Sequence, residues 1–198
     1  MTEFLVFLAI IAGIVFFIIS IYNRLVNARN RVANSFAQID VQLTRRHDLI
    51  PNLIEAVKGY MAHERDTLEA VINARNTAVN GLNAAKADPS DPSAIKSLGA
   101  AESLLGGALG KLFALAEAYP DLKANENMMA FQEELTTTEN KIAFSRQAFN
   151  DAVLAYNNLR ENVPNNFIAG PFGFNKADYL EIESPEKREV VDVSFANT

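Results

Sequence analysis

Cysteine is absent from all 198 residues. That excludes a disulfide framework, a thiolate nucleophile and a thiolate metal site, and it suits a reducing compartment. Tryptophan is absent too, and histidine occurs only as His47 and His63. A nucleophile-and-imidazole constellation therefore has almost nothing to draw on, although lysine or carboxylate chemistry stays open. Basic residues are outnumbered, with 18 Lys and Arg against 24 Asp and Glu, for a net charge of −6. That balance argues against nucleic acid as a partner, because phosphate neutralisation needs a basic face. Proline and glycine are missing between Gly13 and Pro51, so nothing there punctuates a helix.

The first feature present is an uninterrupted apolar run. "FLVFLAIIAGIVFFIISI", residues 4–21, carries no charge. Its length along a helix is about 27 Å, close to a hydrocarbon core of ~30 Å. A cleaved signal peptide would start basic and end in small residues, whereas here Glu3 precedes the run and Ile18, Ile19, Ser20, Ile21 and Tyr22 close it. The expectation is a retained transmembrane anchor. Ala9 and Gly13 make a small-xxx-small pair that hints at anchor self-association. Arg24, Arg29 and Arg31 follow the run with no acid before Asp40. The positive-inside rule then predicts an outside N-terminus and a cytoplasmic remainder, with Tyr22 at the interface.

Beyond the anchor, Leu25, Val32, Phe36, Ile39 and Leu43 recur at helical spacing. The anchor is expected to continue as the first helix of the soluble part, to about residue 48. Pro51 removes a hydrogen bond to the His47 carbonyl and biases Ile50 away from helix. The expectation is a hinge there, with Asp48 capping a second helix that holds Pro51 in its first turn; a continuous kinked helix through Pro51, giving a three-helix domain with one very long member, stays open. Arg45, Arg46 and His47 would complement the dipole of the ending helix. That second helix runs to about Ala87, and "ADPSDPS" is a loop. A third helix starts after an Asp91 or Ser93 cap and runs to about Ala118. "YPDLKANEN" breaks the chain again, with Asn125 as a cap. In the fourth helix Met128, Phe131, Leu135, Thr138, Ile142, Ser145, Phe149, Ala152, Tyr156 and Leu159 alternate steps of three and four, a heptad seam.

The fold class expected is all-α: a transmembrane anchor over 1–22, continuous with an antiparallel up-and-down four-helix bundle over 23–163, then an extended aromatic and acidic tail over 164–198. "ADYLEIE" and "EVVDVSF" alternate in a β-like way, so a hairpin or added strand competes with an extended tail. Four helices return the chain to the bilayer, which puts Phe167, Phe172 and Phe174 near it. They either enter the interface or pack on the protein's own helices.

Candidate chemistry is thin. "HDLIP", residues 47–51, is similar to a histidine-kinase phospho-acceptor box, but the proline is one residue early and the Arg-Thr pair is missing. Neither histidine has the Glu three residues earlier that di-iron bundles use. "GGALGK" departs from a phosphate loop in its spacing and in Leu112 after the lysine. Gly99, Gly106, Gly107 and Gly110 read instead as places where another helix approaches closely. No catalytic, cofactor-binding or metal residue is assigned.

"YNRLVNARNRVANSFAQIDVQLTRRHDLIPNLIEAVKGY", "AEAYPDLKANENMMAFQEEL" and "TENKIAFSRQAFNDAVLAYNN" resemble the LemA family over nearly the whole chain. The resemblance implies one membrane helix with a short outside N-terminus and a cytoplasmic four-helix domain in a bacterial cell (inner) membrane. It implies no reaction, cofactor or catalytic residue. The function expected is a non-enzymatic scaffold or adaptor. Its partners would be the lipid bilayer, its own copies as a homo-oligomer and other membrane proteins, with no small-molecule substrate. The alternatives are a phosphotransfer module using His47, and membrane remodelling by self-assembly.

Overall fold

The structure, a computed structural model, describes residues 1–182. Among them every regular element is helical. α1 is Thr2–Lys58, α2 is Arg65–Ala87, α3 is Pro92–Ala116, α4 is Pro120–Lys123, α5 is Glu126–Glu161 and α6 is Asn165–Ala169. α1 packs against α5 and α2, and α2 packs against α3.

At 57 residues, α1 is about 85 Å long. Its first third is exposed on all faces, with Phe4, Phe7, Ile10, Ile14 and Phe17 all more than half exposed. From Ile21 onward one stripe is buried: Ile21, Leu25, Val32, Phe36, Ile39 and Leu43. The same helix thus changes from an all-round apolar rod to an amphipathic one at its sixth turn. α3 is also long and apolar enough to cross a membrane, but its buried residues contribute to both cores described next.

The hinge at Asp48 and Pro51 is not where the chain bends away. α1 passes through Pro51 and ends at Gly59, and Asp48 is an exposed mid-helix residue rather than a cap. Two effects outweigh the proline. Ile50, Leu53, Ile54 and Val57 are all buried, at roughly 1.5–3 kcal/mol each, against ~3 kcal/mol for an interior proline. The carbonyl that Pro51 leaves without a donor, that of His47, accepts from Arg75 Nε of α2 at 2.9 Å. The other predicted caps form. Asp91 accepts from Ser93 N at 3.0 Å, and Asn125 accepts from Asn127 N at 2.9 Å.

Two apolar cores lie in series along α1. The one next to the apolar run joins Leu25, Phe36, Ile39, Leu98, Phe149, Val153, Phe174 and Leu180, and the far one joins Ile50, Leu53, Val57, Val71, Leu105, Leu112 and Leu122. Of the α5 seam, Met128, Leu135, Thr138, Ile142, Ser145, Phe149 and Tyr156 are buried.

After a turn over 170–173 the chain has no regular structure and forms no strand as far as Ile182; "EVVDVSF" lies outside the described residues. Phe174, Ala177 and Leu180 point inward, an inward period of three rather than the two of a strand. Side chains of α5 replace a ladder. Asn157 donates to Ala177 O at 2.9 Å and accepts from Ala177 N at 3.1 Å. Asn150 does the same to Leu180, at 3.3 and 2.9 Å. Arg160 donates to Phe174 O at 2.7 Å, Tyr156 to Asn175 O and Arg146 to Ile182 O, both at 2.8 Å. The tail therefore runs opposite to α5. Seven residues of helix rise about 10.5 Å, and three extended residues span about 10 Å, so the two asparagines match two inward tail positions. Gly99 of α3 admits the tail as well, because a Cβ there would run into the Glu181 carbonyl. Gly106, Gly107 and Gly110 have no such neighbour among the described residues, so the close-approach reading applies to Gly99 alone, and the approaching element is the tail rather than a helix.

Candidate functional site

Two polar sites interrupt the apolar pattern of α1. The inner one lies where the two cores meet. Arg46 sits on the core stripe, three residues after Leu43 and four before Ile50. Glu102 sits on that of α3, between Leu98 and Leu105. Both are sealed, at 1% and 0% exposure. Arg46 pairs with Glu102 and with Glu139 of α5. His47, also buried, contacts Glu102 Oε1 through Nε2 at 2.9 Å. Burial first, then the positive charges of Arg46 and Arg75, hold the His47 imidazole down at about 4. At neutral pH the ring is therefore uncharged, and Nε2–H donates to the carboxylate, which has only acceptors to offer.

This constellation joins α1, α3 and α5, with Arg75 adding α2. It is a buried polar layer, in which the His47 side chain is 3% exposed and its Nε2 is engaged with Glu102. The sequence reading places Arg45, Arg46 and His47 in a final helical turn; they lie mid-helix, and Arg46 and His47 turn inward while Arg45 pairs with Glu134 at the surface. His63 is exposed in the α1–α2 connection. Among the described residues no three His, Cys, Asp or Glu converge as a metal site. Sequence reasoning missed Glu102, Glu139 and Arg75. Glu102 had a signal: it is the lone acid of α3 and falls in register with Leu98, Leu105 and Leu109.

The outer site rings α1 just past the apolar run. Tyr22 meets Phe172 and Phe174 edge to face, both with ring centroids at 5.4 Å. The Arg29 guanidinium lies 5.2 Å from the Phe174 ring centre, a cation–π contact. Phe174 is buried, whereas Phe172 is 54% and Phe167 70% exposed. The three tail phenylalanines thus divide: one packs on the protein's own helices, one lies partly over Tyr22, and Phe167 on α6 projects outward. Arg24 and Arg31 are exposed on α1 and flank a groove beside α5.

Comparison with known proteins places this geometry in a family. The LemA family pattern matches residues 35–195. The chain is 25% identical over 178 residues to magnetosome protein MamQ 2 of Paramagnetospirillum magneticum, covering 81% of this chain and 64% of that protein. It is 26% identical over 177 residues to magnetosome protein MamQ of Magnetospirillum gryphiswaldense, covering 80% and 64%. It is 26% identical over 155 residues to Protein LemA of Metamycoplasma hominis, covering 78% and 66%. The chain thus spans a little under two thirds of the length of the magnetosome relatives. The family match takes in α1 from Ser35 and all the later helices, and on it the chain belongs to the LemA family.

Proposed function

We propose that this protein is a non-enzymatic, single-pass membrane scaffold or adaptor that works by contact with its own copies or with other membrane proteins. On this reading residues 4–21 cross a bacterial cell membrane with the N-terminus outside, and the helical body is cytoplasmic. Arg24, Arg29 and Arg31 mark the inner boundary. α1, α2, α3 and α5 then form an antiparallel up-and-down four-helix bundle. Support comes from the pairing of α1 with α5: Phe36 meets Phe149, whereas Arg45 and Arg46, further along α1, pair with Glu134 and Glu139, earlier on α5.

The observation that carries the reading is the change of character within α1. An apolar segment exposed on every face has no partner among the described residues, and water is a poor partner for it. Its rigid continuation enters the core, so the helical body is held at a fixed distance from the bilayer. The contact surface follows from exposure: Phe167, Phe172 and Phe144, the last 77% exposed, offer large apolar side chains on outer faces.

The test is a photo-crosslinking residue at Phe167, activated in intact membranes and followed by mass analysis. Capture of the same chain supports a self-associating scaffold, and repeated capture of one other membrane protein supports an adaptor. Capture of lipid alone, or of nothing, contradicts a contact role for this face.

A further inference from the structure

Just past the apolar run, α1 and α5 leave a groove of about 330 Å³. Arg24, Asn27 and Arg31 line its α1 side at steps of three and four, which places them on one helical face. Its floor is small: Ala28 of α1 faces Ala152 and Ala155 of α5. Tyr156 also lines the groove, but its hydroxyl is committed to the Asn175 carbonyl at 2.8 Å. The polar groups left to act are therefore two guanidinium groups and an amide.

Charge decides what fits. Among the described residues neither Arg24 nor Arg31 has an ion-pair partner. Glu161, near the end of α5, is engaged with Arg160 at 3.9 Å and Lys176 at 3.6 Å. Height decides where the occupant comes from. Arg24 stands about 4.5 Å past Ile21 along the helix, within a headgroup layer about 5–8 Å thick, and Arg31 about 15 Å past it. A groove that begins at headgroup level, beside an exposed apolar rod, suits a molecule with a phosphate and acyl chains.

The geometry points to a binding site for the headgroup of an anionic glycerophospholipid. The phosphodiester sits between Arg24 and Asn27, which supply fork-like and amide donors. The rest of the headgroup runs along the alanine floor toward Arg31, and the acyl chains lie along the apolar part of α1. Arg31 provides the selectivity. A choline or ethanolamine headgroup would bring a cation toward a guanidinium, whereas a glycerol or second phosphate would not. The inference rests on the membrane-anchored reading above and names the lipid that the anchored protein holds.

The experiment is native mass spectrometry of the full chain, released from bilayers of phosphatidylglycerol and phosphatidylcholine with identical acyl chains. The wild type is expected to retain phosphatidylglycerol roughly tenfold over phosphatidylcholine. Arg24→Gln/Arg31→Gln should bring that ratio near one. So should Ala155→Leu, which fills the groove at an exposed position and leaves both charges. Lys111→Gln should leave the ratio unchanged. A wild-type ratio near one overturns the proposal, and so does a preference that survives Ala155→Leu, since charge alone would then explain it. Displacement of the lipid by an excess of glycerol phosphate overturns the lipid assignment in favour of a soluble phosphate ester. The same spectra report oligomers. A monomer that keeps its lipid preference counts against the scaffold reading alone, and an oligomer without preference against this one alone.

Discussion

α1 carries two sets of arginines, and their surroundings differ in every respect. Arg46 is sealed between two apolar cores and neutralised by Glu102 and Glu139. Arg24 and Arg31 are exposed, and no acid lies between them and Asp40 along the chain. A charge taken out of water needs its counter-charge built into the fold. A charge left at the surface beside an apolar rod has its counter-charge elsewhere. The inner set ties α1 to α3 and α5, and the outer set has no ion-pair partner among the described residues.

The sharpest way to break that comparison is Glu102→Ala. It leaves Arg46 buried with only the half-exposed Glu139, and the expected loss is about 3–5 kcal/mol in denaturant unfolding of the full chain in detergent. Replacing both partners, as Arg46→Met/Glu102→Leu, should restore most of it. A loss below about 1 kcal/mol for the single change would mean that the layer is not the sealed ion pair described.

Acidification should act on the same layer. His47 has its folded pKa held at about 4 against 6.5, so below pH 6.5 the unfolded chain binds the proton more readily. Its contribution is complete above pH 6.5, is lost progressively as the pH falls to about 4, and changes no further below that. The total is about 3 kcal/mol. Subtracting the stability profile of His47→Leu from that of the wild type should isolate this slope. A flat difference across the window would contradict a buried neutral imidazole.

A smaller effect separates the tail from both arginine sets. Asn157→Ala leaves the buried N–H and carbonyl of Ala177 unpaired, at roughly 1–3 kcal/mol. Hydrogen exchange should accelerate at Phe174–Leu180 and remain unchanged in the far core around Val57. The smallest effect is expected from Arg24→Gln/Arg31→Gln, which should shift unfolding by no more than about 0.5 kcal/mol. A shift well above that would give these residues a structural partner.

The long periodic stretches were legible in the sequence because burial and period coincide there. The α5 seam and the Asp91 and Asn125 caps follow from local chemistry alone. At Pro51 the local rule favours a hinge over the continuous helix that the sequence also leaves open, and four buried side chains and Arg75, 24 positions away, decide for the continuous helix. Arg46 and Glu102 stand in register with apolar stripes, a signal that the reading of Arg46 as a helix-end residue passed over, and their meeting depends on how α1 and α3 pack, which no spacing states. The tail escaped for a related reason. Its period of three has meaning only against Asn150 and Asn157, and those look like ordinary surface residues until the chain folds back. Tyr22, Phe172 and Phe174 were expected at one level and are found together, whereas the outward course of Phe167 depends on where α6 ends.

The account depends most on which side of a membrane the arginines occupy. The chain has no cysteine of its own, so single cysteines can report cleanly. Thr2→Cys and Asn127→Cys, the latter on an exposed turn of α5, would be treated in intact cells with a membrane-impermeant thiol reagent. The account predicts that Thr2→Cys is labelled from outside and that Asn127→Cys reacts only after lysis. Labelling of Asn127→Cys from outside, or of both positions alike, would contradict it.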